Sequence, residues 1–449
     1  MKESVNIQRS YQYDVVVCGG GPAGFCAAAA AARNGAKTAL IEKYGMLGGT
    51  MTIGGVSAPA LFHAHGKQII AGIGWELMVR LSEQGFAQLP NPPFNASHPQ
   101  MAVEINAFQA AVLMDDMALS SGVHLHFHQP LAYVCAQNGH IASILVCGAN
   151  GLVKIEARLF IDCTGDGDLA AMAGAEYELS DELQPASLNS ILVNAPEVVS
   201  DLKTIASDFS RRVASGELSI HDVWGGDPSA ILQGHGRGRG AKFQENYSIN
   251  VFSNLNHVYP FNGADDESRT RGEIEGRKSI ARVLRWLNES VPGYEQAYIA
   301  SCSPQVTARE SRRILGNSYI TGSDYIHGVC PPDSVCYSFY PIDVHRGDKG
   351  NALDNVFLTD GRVPGIPYGA LVARNFDNLM MAGRNISGDR QAQSAYRVQA
   401  SCMAMGEAAG TAAAMACAAS IAPSLLNYNL LRQQLHANGM IVPGLSQLH

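Results

Sequence analysis

The chain begins with a run of apolar and β-branched residues that changes abruptly to glycine. The run Val15–Cys18 is typical of a strand that is buried on both faces of a parallel sheet. The Ala-rich stretch from Phe25 to Asn34 favours a helix, and Gly35 is suited to end it. A second apolar run, Thr38–Ile41, then predicts a second strand. This order predicts a βαβ unit of about 30 residues.

Apolar spacing also predicts the elements farther along the chain. The predicted helices cover residues 68–84, 104–121, 266–290, 307–316 and 398–419, and a meander of short strands covers 131–160. Residues 179–335 are more polar and less regular than the segments on either side. The pattern therefore predicts an α/β fold. A Rossmann-like domain, three-layered and mostly parallel with a β-meander, comprises residues 1–178 and 336–449. An α+β substrate or cap domain, residues 179–335, is inserted into it.

Composition narrows the classes of protein that fit this fold. The 449 residues carry a net charge of -8, which argues against a nucleic-acid partner. The basic stretch 234–242 is the local exception, and it is either a flexible polar loop or a lid that carries arginines. No apolar run reaches the roughly 18 residues of a membrane span, and the N-terminus lacks a signal core. The ten cysteines form no CxxC pair, so we expect a cytoplasmic protein without a membrane partner. Its oligomeric state is left open.

Three glycines, Gly19, Gly21 and Gly24, follow the first predicted strand at the spacing GxGxxG. The first allows the tight turn, the second lets backbone N–H groups approach a pyrophosphate, and the third lets helix and strand pack closely. The pyrophosphate then lies on the helix N-terminus. Glu42 ends the second strand, where it is placed to accept hydrogen bonds from adenosine ribose hydroxyls. The stretch predicts a dinucleotide site.

Glycine turns elsewhere favour FAD over NAD(P). Gly48 and Gly49 follow soon after Glu42, which suits a flavin extended across the edge of the sheet. Two later strand-to-turn signals, FIDCTGDGD and NLMMAGRNISGD, would not be needed in an NAD domain. We expect noncovalent FAD and no metal. The residues expected to bind it are Gly19, Gly21, Pro22, Ala23, Gly24, Glu42, Lys43, Gly48, Gly49, Thr50, Thr164, Gly165, Asp166, Gly383, Arg384, Ala400 and Ser401.

Motifs spread over nearly the whole chain carry a family resemblance. VTARESRRILG, SFYPIDVH, IPYGALVARNFDNLMMAGRNIS and RVQASCMAMGEAAGTAAAMA are similar to motifs of the FAD-dependent oxidoreductase family, within the glutathione-reductase-like flavoprotein superfamily. The resemblance implies a two-domain fold distantly like that of the fumarate reductase flavoproteins, and it implies no particular substrate. The stretch SGDRQAQSAYRVQ departs from the family pattern, which often carries histidines there, so an acid–base role is not transferred by analogy.

The candidate catalytic residues follow from their order along the chain. Arg390 and Arg397 lie between a predicted strand end and the long helix that starts near 398. That helix is expected to direct its positive N-terminus at the flavin pyrimidine ring, an effect of about 0.3–1 kcal/mol. Tyr340 and His345 are expected opposite them. Asp343, on the same strand face as His345, could orient it, and the alternative for this segment is a hinge. Arg309 contributes to the site or to an ion-paired helix with its neighbours, and the arginines at 390 and 397 carry the same structural alternative.

Two groups of histidines are further candidates for ligand binding. His63 and His65 follow the second glycine turn and could face the flavin or attach to it. His124, His126 and His128 alternate along a strand and share one face, which could suggest a metal. No other ligand cluster lies near them in the sequence. A structural role is therefore favoured for these three.

The leading functional hypothesis is an enzyme that moves a hydride between flavin N5 and a small polar organic substrate. The arginines indicate an anionic substrate, since a guanidinium can hold a carboxylate with two hydrogen bonds. A flavin monooxygenase is an alternative, although no second GxGxxG unit for NAD(P)H is present. A non-catalytic flavin-binding assembly subunit is the other alternative. The absence of a redox cysteine pair argues against a disulfide reductase.

Overall fold

The computed structural model describes most of the chain. It covers residues 6–94, 101–194, 201–223, 256–347, 353–358 and 361–446, the strands at 237–239 and 249–252, and the single residues 226, 228 and 232. The basic stretch 234–242 lies outside the described residues except for that first strand.

The longest α-helix of the described residues has 25 residues, from 266 to 290. In chain order, the helices of the described residues are α1 (Pro22–Arg33), α2 (Ile73–Glu83), α3 (Ala107–Ser120), α4 (Asp168–Ala173), α5 (Leu202–Ser215), α6 (Asp266–Ser290), α7 (Gly322–Ile326), α8 (Arg390–Tyr396), α9 (Gln399–Ala419) and α10 (Tyr428–Ala437).

The strands are mostly short, and the two longest run beside each other. They are β1 (Ile7–Cys18), β2 (Thr38–Ile41), β3 (His63–Ala64), β4 (Lys67–Gln68), β5 (Ala87–Gln88), β6 (Glu104–Ile105), β7 (His124–His126), β8 (Leu131–Gln137), β9 (His140–Gly148), β10 (Gly151–Asp162), β11 (Tyr177–Glu178), β12 (Ser190–Val193), β13 (Arg237–Arg239), β14 (Ile249–Phe252), β15 (Tyr298–Cys302), β16 (Arg313–Ile314), β17 (Ser334–Tyr337), β18 (Ile342–His345), β19 (Leu353–Val356), β20 (Gly365–Pro367) and β21 (Leu379–Met381).

The main sheet has the order β7-β2-β1-β10-β9-β8, with β21 beside β10. Strands β7, β2, β1, β10 and β21 run parallel, whereas β8 and β9 form an antiparallel meander. The long strand β10 pairs with β9 through its first half and with β21 through its last three residues. Cys18 is level with both Ile41 and Asp162, so the carboxyl ends of three strands meet at one edge. The predicted α/β fold class is confirmed.

Helices α1 and α9 pack against each other at backbone distance. A Cβ atom added to Gly406 would lie 2.0 Å from the carbonyl oxygen of Ala23, and one added to Gly410 would lie 2.0 Å from that of Ala27. Both helices are buried along almost their whole length. The small residues predicted in these helices therefore serve close packing over the first glycine turn.

The middle of the chain forms a separate unit, which we call the inserted unit. Its antiparallel sheet has the order β13-β14-β12-β15 and is accompanied by α5 and α6. Its buried apolar residues, from Ala186 to Val306, form two clusters apart from the main core. The main core includes Ala175 and resumes at Ile314. By packing, residues 314–335 therefore belong with the main core, whereas the sequence placed them in the inserted domain.

The predicted short helix over 307–316 is wrong. The segment is extended and contains β16, which pairs with β11. Arg309, Glu310 and Arg313 are all buried and each has a polar partner in a different direction. These tertiary contacts override the local helical preference. The helices predicted over 68–84, 104–121, 266–290 and 398–419 are confirmed, the first two shortened by the hairpin strands before them.

Within the described residues, α9 alone is long and apolar enough to cross a membrane. In its most apolar window, 83% of the residues are buried inside the molecule. It is the central helix of the main core, where it contacts α1.

Candidate active site

The first glycine turn connects β1 to α1 in a conformation that only glycine adopts easily. Gly19 has φ +100°, and a Cβ atom there would lie 2.4 Å from the carbonyl oxygen of Cys163. A Cβ atom on Gly24 would lie 1.7 Å from the carbonyl oxygen of Gly19. By contrast, the nearest atom to a Cβ on Gly21 would be 3.9 Å away. The turn thus leaves open space over the N-terminus of α1, where Pro22 and Ala23 begin the helix.

Glu42 connects this turn to the end of β2. Its Oε2 accepts a hydrogen bond from the Gly20 N–H at 2.6 Å, and its Oε1 accepts one from the Tyr44 N–H at 2.9 Å. Burial raises the pKa of Glu42, while these two N–H groups and the Lys43 charge oppose the rise. Each carboxylate oxygen keeps a further lone pair, so Glu42 can also accept from a ligand hydroxyl.

The second glycine turn packs directly on the first. The Gly48 N–H donates to the Gly20 carbonyl at 2.8 Å, and a Cβ on Gly49 would lie 2.8 Å from Gly21 Cα. Thr50 Oγ1 accepts a hydrogen bond from Gln399 Nε2 at 3.1 Å. The second turn therefore joins the first glycine turn to the beginning of α9.

Two later turns reach the same edge from β10 and β21. Asp162 is fully buried and accepts hydrogen bonds from Thr164 and from Ala170 at the start of α4. Burial raises its pKa to about 6. Gly165 has φ +79° and Gly383 has φ +108°. These turns bring two charged side chains, Asp166 and Arg384, into a 2.5 Å ion pair.

The N-terminus of α9 completes the edge. The Ala400 N–H donates to the Ala60 carbonyl at 3.2 Å, and Ser401 Oγ lies 2.9 Å from Ser338 Oγ. No side chain caps this helix, whose first residue follows Val398. Arg397 directly precedes Val398, the N-cap position, so its side chain lies beside the start of the helix.

Buried polar atoms around these turns fit a large polar ligand such as FAD. Three of them have no hydrogen-bond partner among the described residues: Arg384 Nε, Asn385 Oδ1 and Gln399 Oε1. A buried polar group without a partner is costly, so a ligand that supplies donors and acceptors here is favoured. The glycines leave room for it at the turns.

A second polar cluster lies beside the start of α9, and we call it the Arg397 cluster. It consists of Arg397, Asp343, His345, Tyr340 and Arg309. Arg397 Nη2 lies 3.5 Å from Asp343 Oδ2 and 3.3 Å from the Asp343 carbonyl. His345 Nε2 lies 3.4 Å from the same carboxylate. Tyr340 packs near Ala60, in the loop that follows the second glycine turn.

The charges of the Arg397 cluster act strongly on one another because the cluster is largely shielded from solvent. Burial alone would raise the pKa of Asp343, but the hydrogen bond from His345 and the charges of Arg397 and Arg309 lower it, so Asp343 is ionised. Burial and the charge of Arg309 lower the pKa of His345 to about 4. Burial and the charge of Arg397 lower the pKa of Arg309 to about 9. Burial and the Asp343 charge raise the pKa of Tyr340, which keeps its proton.

Arg390 is not part of the Arg397 cluster. Its Nε lies 3.0 Å from Glu310 Oε2, while Arg313 contacts the other oxygen of Glu310 at 2.8 Å. Glu310 is fully buried, so these arginines form the structural ion pairs that the sequence left as an alternative. Arg312 pairs with Asp168 at 2.9 Å.

His63, His65 and His126 each contact another residue of the protein. His63 is buried and stacks on Phe94 at 4.1 Å between ring centroids. His65 Nε2 contacts the carbonyl of Arg362 at 3.2 Å. His126 Nε2 lies 3.0 Å from the Tyr13 hydroxyl. The described residues contain no group of three or more His, Cys, Asp and Glu that could hold a metal.

Comparison with known proteins identifies the family. Residues 14–435 match the family described as FAD dependent oxidoreductase. The chain belongs to this family. It is therefore an oxidoreductase that uses FAD, and the glycine turns, Glu42 and the start of α9 are the groups in this chain that would hold the cofactor.

The segments of this FAD-dependent oxidoreductase that match curated proteins are short. Dihydrolipoyl dehydrogenase of Trypanosoma brucei brucei is 57% identical over 53 residues, which is 12% of this chain and 11% of that protein. Soluble pyridine nucleotide transhydrogenase of Hahella chejuensis is 51% identical over 61 residues, 13% of each chain. The chain thus matches only about a tenth of the length of these relatives. Among solved structures, this chain is similar to a geranylgeranyl bacteriochlorophyll reductase-like protein from Thermoplasma acidophilum, at 14% identity and a TM-score of 0.45. The matched region covers 95% of this chain and 83% of the other.

Sequence reasoning did not select two groups that the structure places at the site. His257 lies on the inserted unit, and its Nε2 is 3.1 Å from His345 Nδ1. Arg269, on α6, contacts Asp166 at 3.0 Å. Each is far in sequence from its partner, and neither belongs to a recognisable motif. No local signal in the sequence could have revealed these contacts.

Proposed function

We propose that this enzyme transfers a hydride between flavin N5 and a small, polar, anionic organic substrate held by the Arg397 cluster. The observation that carries the proposal is a pair of guanidinium groups next to the start of α9, the buried Arg309 and Arg397, whose side chain is 13% exposed. Bound FAD supplies the two-electron chemistry, and the protein supplies binding, orientation and charge.

The charge of the cluster favours an anion. Repulsion from Arg397 contributes to the lowered pKa of Arg309, and an anion near both groups would relieve that repulsion. Asp343 already engages Arg397 through Nη2, at a distance longer than a close charge-assisted hydrogen bond. A substrate carboxylate can therefore bind the same guanidinium while Asp343 fixes its orientation.

Proton handling follows from the protonation states in the cluster. Tyr340 keeps its hydroxyl proton and can donate a hydrogen bond to a substrate oxygen. Ionised Asp343 only accepts, so His345 must carry its proton on Nε2, and Nδ1 then accepts from the Nε2–H of His257. Both ring nitrogens of His345 thus have protein partners. We assign His345 as a positioning residue for Asp343, and Tyr340 as the group that contacts the substrate.

The test combines a substrate screen with substitution of Arg397. Anaerobic stopped-flow measurements follow flavin reduction by a panel of small hydroxy and amino acids, matched with their uncharged amides. We expect reduction by an acid and not by its amide. Arg397→Met should then lose about 2–5 kcal/mol of transition-state stabilisation, the usual effect of breaking a buried charged pair. FAD content should be unchanged.

Arg397→Lys serves as the control, because it keeps the charge and loses the planar fork. Its loss should be smaller than that of the methionine variant. Equal reduction by acids and amides, or wild-type reduction in the Arg397→Met enzyme, would show that the anion site lies elsewhere. Reduction only by NAD(P)H, followed by oxygen transfer to a substrate, would favour the monooxygenase alternative.

A further inference from the structure

The inserted unit contacts residues in or close to the turns of the site at three separate places. Asn189 Nδ2 donates to the carbonyl of Gly54, just after the second glycine turn. The Tyr44 hydroxyl, two residues after Glu42, donates to Gln305 Oε1. Arg269, near the start of α6, donates from Nη2 to Asp166 Oδ2 at 3.0 Å. The inserted unit therefore borders the edge of the sheet at which FAD binds.

The last of these contacts belongs to a cluster with excess positive charge. Asp166 pairs with Arg384, and Asp168 pairs with Arg312. Arg269 is a third guanidinium, 3.0 Å from Asp166 and 3.7 Å from Asp168. The charge of Lys43 also acts on Asp166. Within ion-pair distance, three guanidinium groups therefore face two carboxylates, a surplus of one positive charge.

The cluster lies beside the N-terminus of α1. A Cβ on Gly165 would lie 2.3 Å from Arg384 Nη1, and one on Gly383 would lie 3.4 Å from the Cβ of Ala23, in the first turn of α1. A dinucleotide pyrophosphate binds at such a helix N-terminus. It carries two negative charges, so a surplus cation beside it is favourable. Arg384 Nε is buried and has no partner among the described residues, so it can donate to this group.

We propose that Arg269 of the inserted unit is a cofactor-binding residue, which neutralises the FAD pyrophosphate and so links FAD binding to the docking of the inserted unit. The two arginines that contact Asp166 then have different roles. Arg384 holds the carboxylate from the main core, and Arg269 adds charge from the opposite side. The proposal rests on the family's cofactor and is independent of the substrate proposed above.

The first experiment measures FAD affinity of the apoprotein by quenching of flavin fluorescence. Arg269→Met should weaken FAD binding about tenfold or more, the effect of losing one charge-assisted hydrogen bond. Arg271→Met is the matched control, because Arg271 lies on the same helix with a side chain 69% exposed and pairs with Glu267, which is also exposed. Riboflavin, which has no phosphate, should bind the wild type and both variants equally.

The second experiment measures docking directly. Limited proteolysis of the inserted unit should be slowed by FAD in the wild type and in Arg271→Met, and much less in Arg269→Met. Arg269→Lys, which keeps the charge, covers the case in which the methionine variant folds poorly, and its FAD affinity should lie between those of wild type and Arg269→Met. Wild-type FAD affinity in folded Arg269→Met, or a tenfold loss that riboflavin shows too, overturns the proposal. Equal proteolysis of the wild type with and without FAD overturns the link to docking.

Discussion

Glu42 illustrates how one side chain combines a structural and a binding role. Its two oxygens accept hydrogen bonds from the N–H groups of Gly20 and Tyr44. They do so at the edge of the main sheet where the strands β1, β2 and β10 end and FAD would bind, which we call the cofactor edge. The shape of the first glycine turn therefore depends on a carboxylate supplied by the next strand. The same carboxylate is placed to meet a ribose hydroxyl, since it has lone pairs to spare.

Glu42→Gln should weaken FAD binding by about 1–3 kcal/mol, the range for a hydrogen bond to a charged group. The NH₂ group of the glutamine amide would face one of the two backbone N–H groups from which Glu42 accepts a hydrogen bond. Fluorescence titration of the apoprotein measures the affinity, and thermal unfolding of the apoprotein separates a folding defect from a binding defect. Unchanged affinity would contradict the assigned role.

Glu407 is a second buried carboxylate, on α9. It accepts a hydrogen bond from the Ile73 N–H at the start of α2, at 2.7 Å, and burial raises its pKa from 4.5 to about 8. The unfolded chain therefore loses this proton near pH 4.5, whereas the folded protein keeps it to about pH 8. Because the folded state binds more protons in this window, Glu407 makes stability fall as pH rises.

Glu407→Gln should remove that dependence. The gain in the free energy of unfolding relative to wild type is expected to grow between pH 5 and pH 8 and then level off. Urea unfolding at pH 5, 6.5 and 8 measures it. Parallel pH profiles for wild type and Glu407→Gln would rule out a shifted Glu407.

At the scale of elements, the contact between α1 and α9 holds the cofactor edge together. Two glycines of α9 lie against carbonyl oxygens of α1, as described above. The two helices bring the first glycine turn and the start of α9 to the same end of the main core. Packing this close leaves no space for even one methyl group.

Gly410→Ala should therefore lower the free energy of unfolding by about 1–3 kcal/mol, the usual effect of overpacking a core. Its Cβ would lie 2.0 Å from the Ala27 carbonyl oxygen, so the helices would have to separate. Urea unfolding measures the change. Ala418→Ser, at an exposed position of the same helix, should stay within about 0.5 kcal/mol of wild type. Wild-type stability of Gly410→Ala would mean that the helices pack less closely.

At the scale of the whole molecule, the main core and the clusters of the inserted unit meet along polar contacts. The cofactor edge lies on the main core, and the inserted unit contributes Arg269, His257 and Asn189 to its border. The redox chemistry of the molecule is assigned to FAD, because the cysteines are dispersed over both parts and are free thiols in the structure.

A thiol count tests that assignment. The chain has ten cysteines, so the denatured protein, isolated without reductant, should show about ten titratable thiols. One cycle of flavin reduction by dithionite and reoxidation in air should leave the count unchanged. Two fewer thiols after the cycle would reveal a redox-active pair and return the disulfide reductase class to consideration.

Sequence by itself determined the parts that depend on local chemistry. GxGxxG between two apolar runs requires a strand, a glycine turn and a helix, because positive φ and close backbone contact exclude other residues. The same reasoning found the later glycine turns and the small-residue helix α9, and these motifs carried the family resemblance. Family, cofactor and fold class are confirmed on that basis.

Tertiary structure alone decided the partners of the charged residues. Arg390 and Arg397 are seven positions apart and look alike in sequence, yet one pairs with Glu310 and the other with Asp343. Segment 307–316 is extended because its buried side chains need partners in several directions. The contacts of His257 and Arg269 join residues far apart in the chain. The fold decides which charged groups come within reach of a long side chain, and the local sequence pattern does not contain that information.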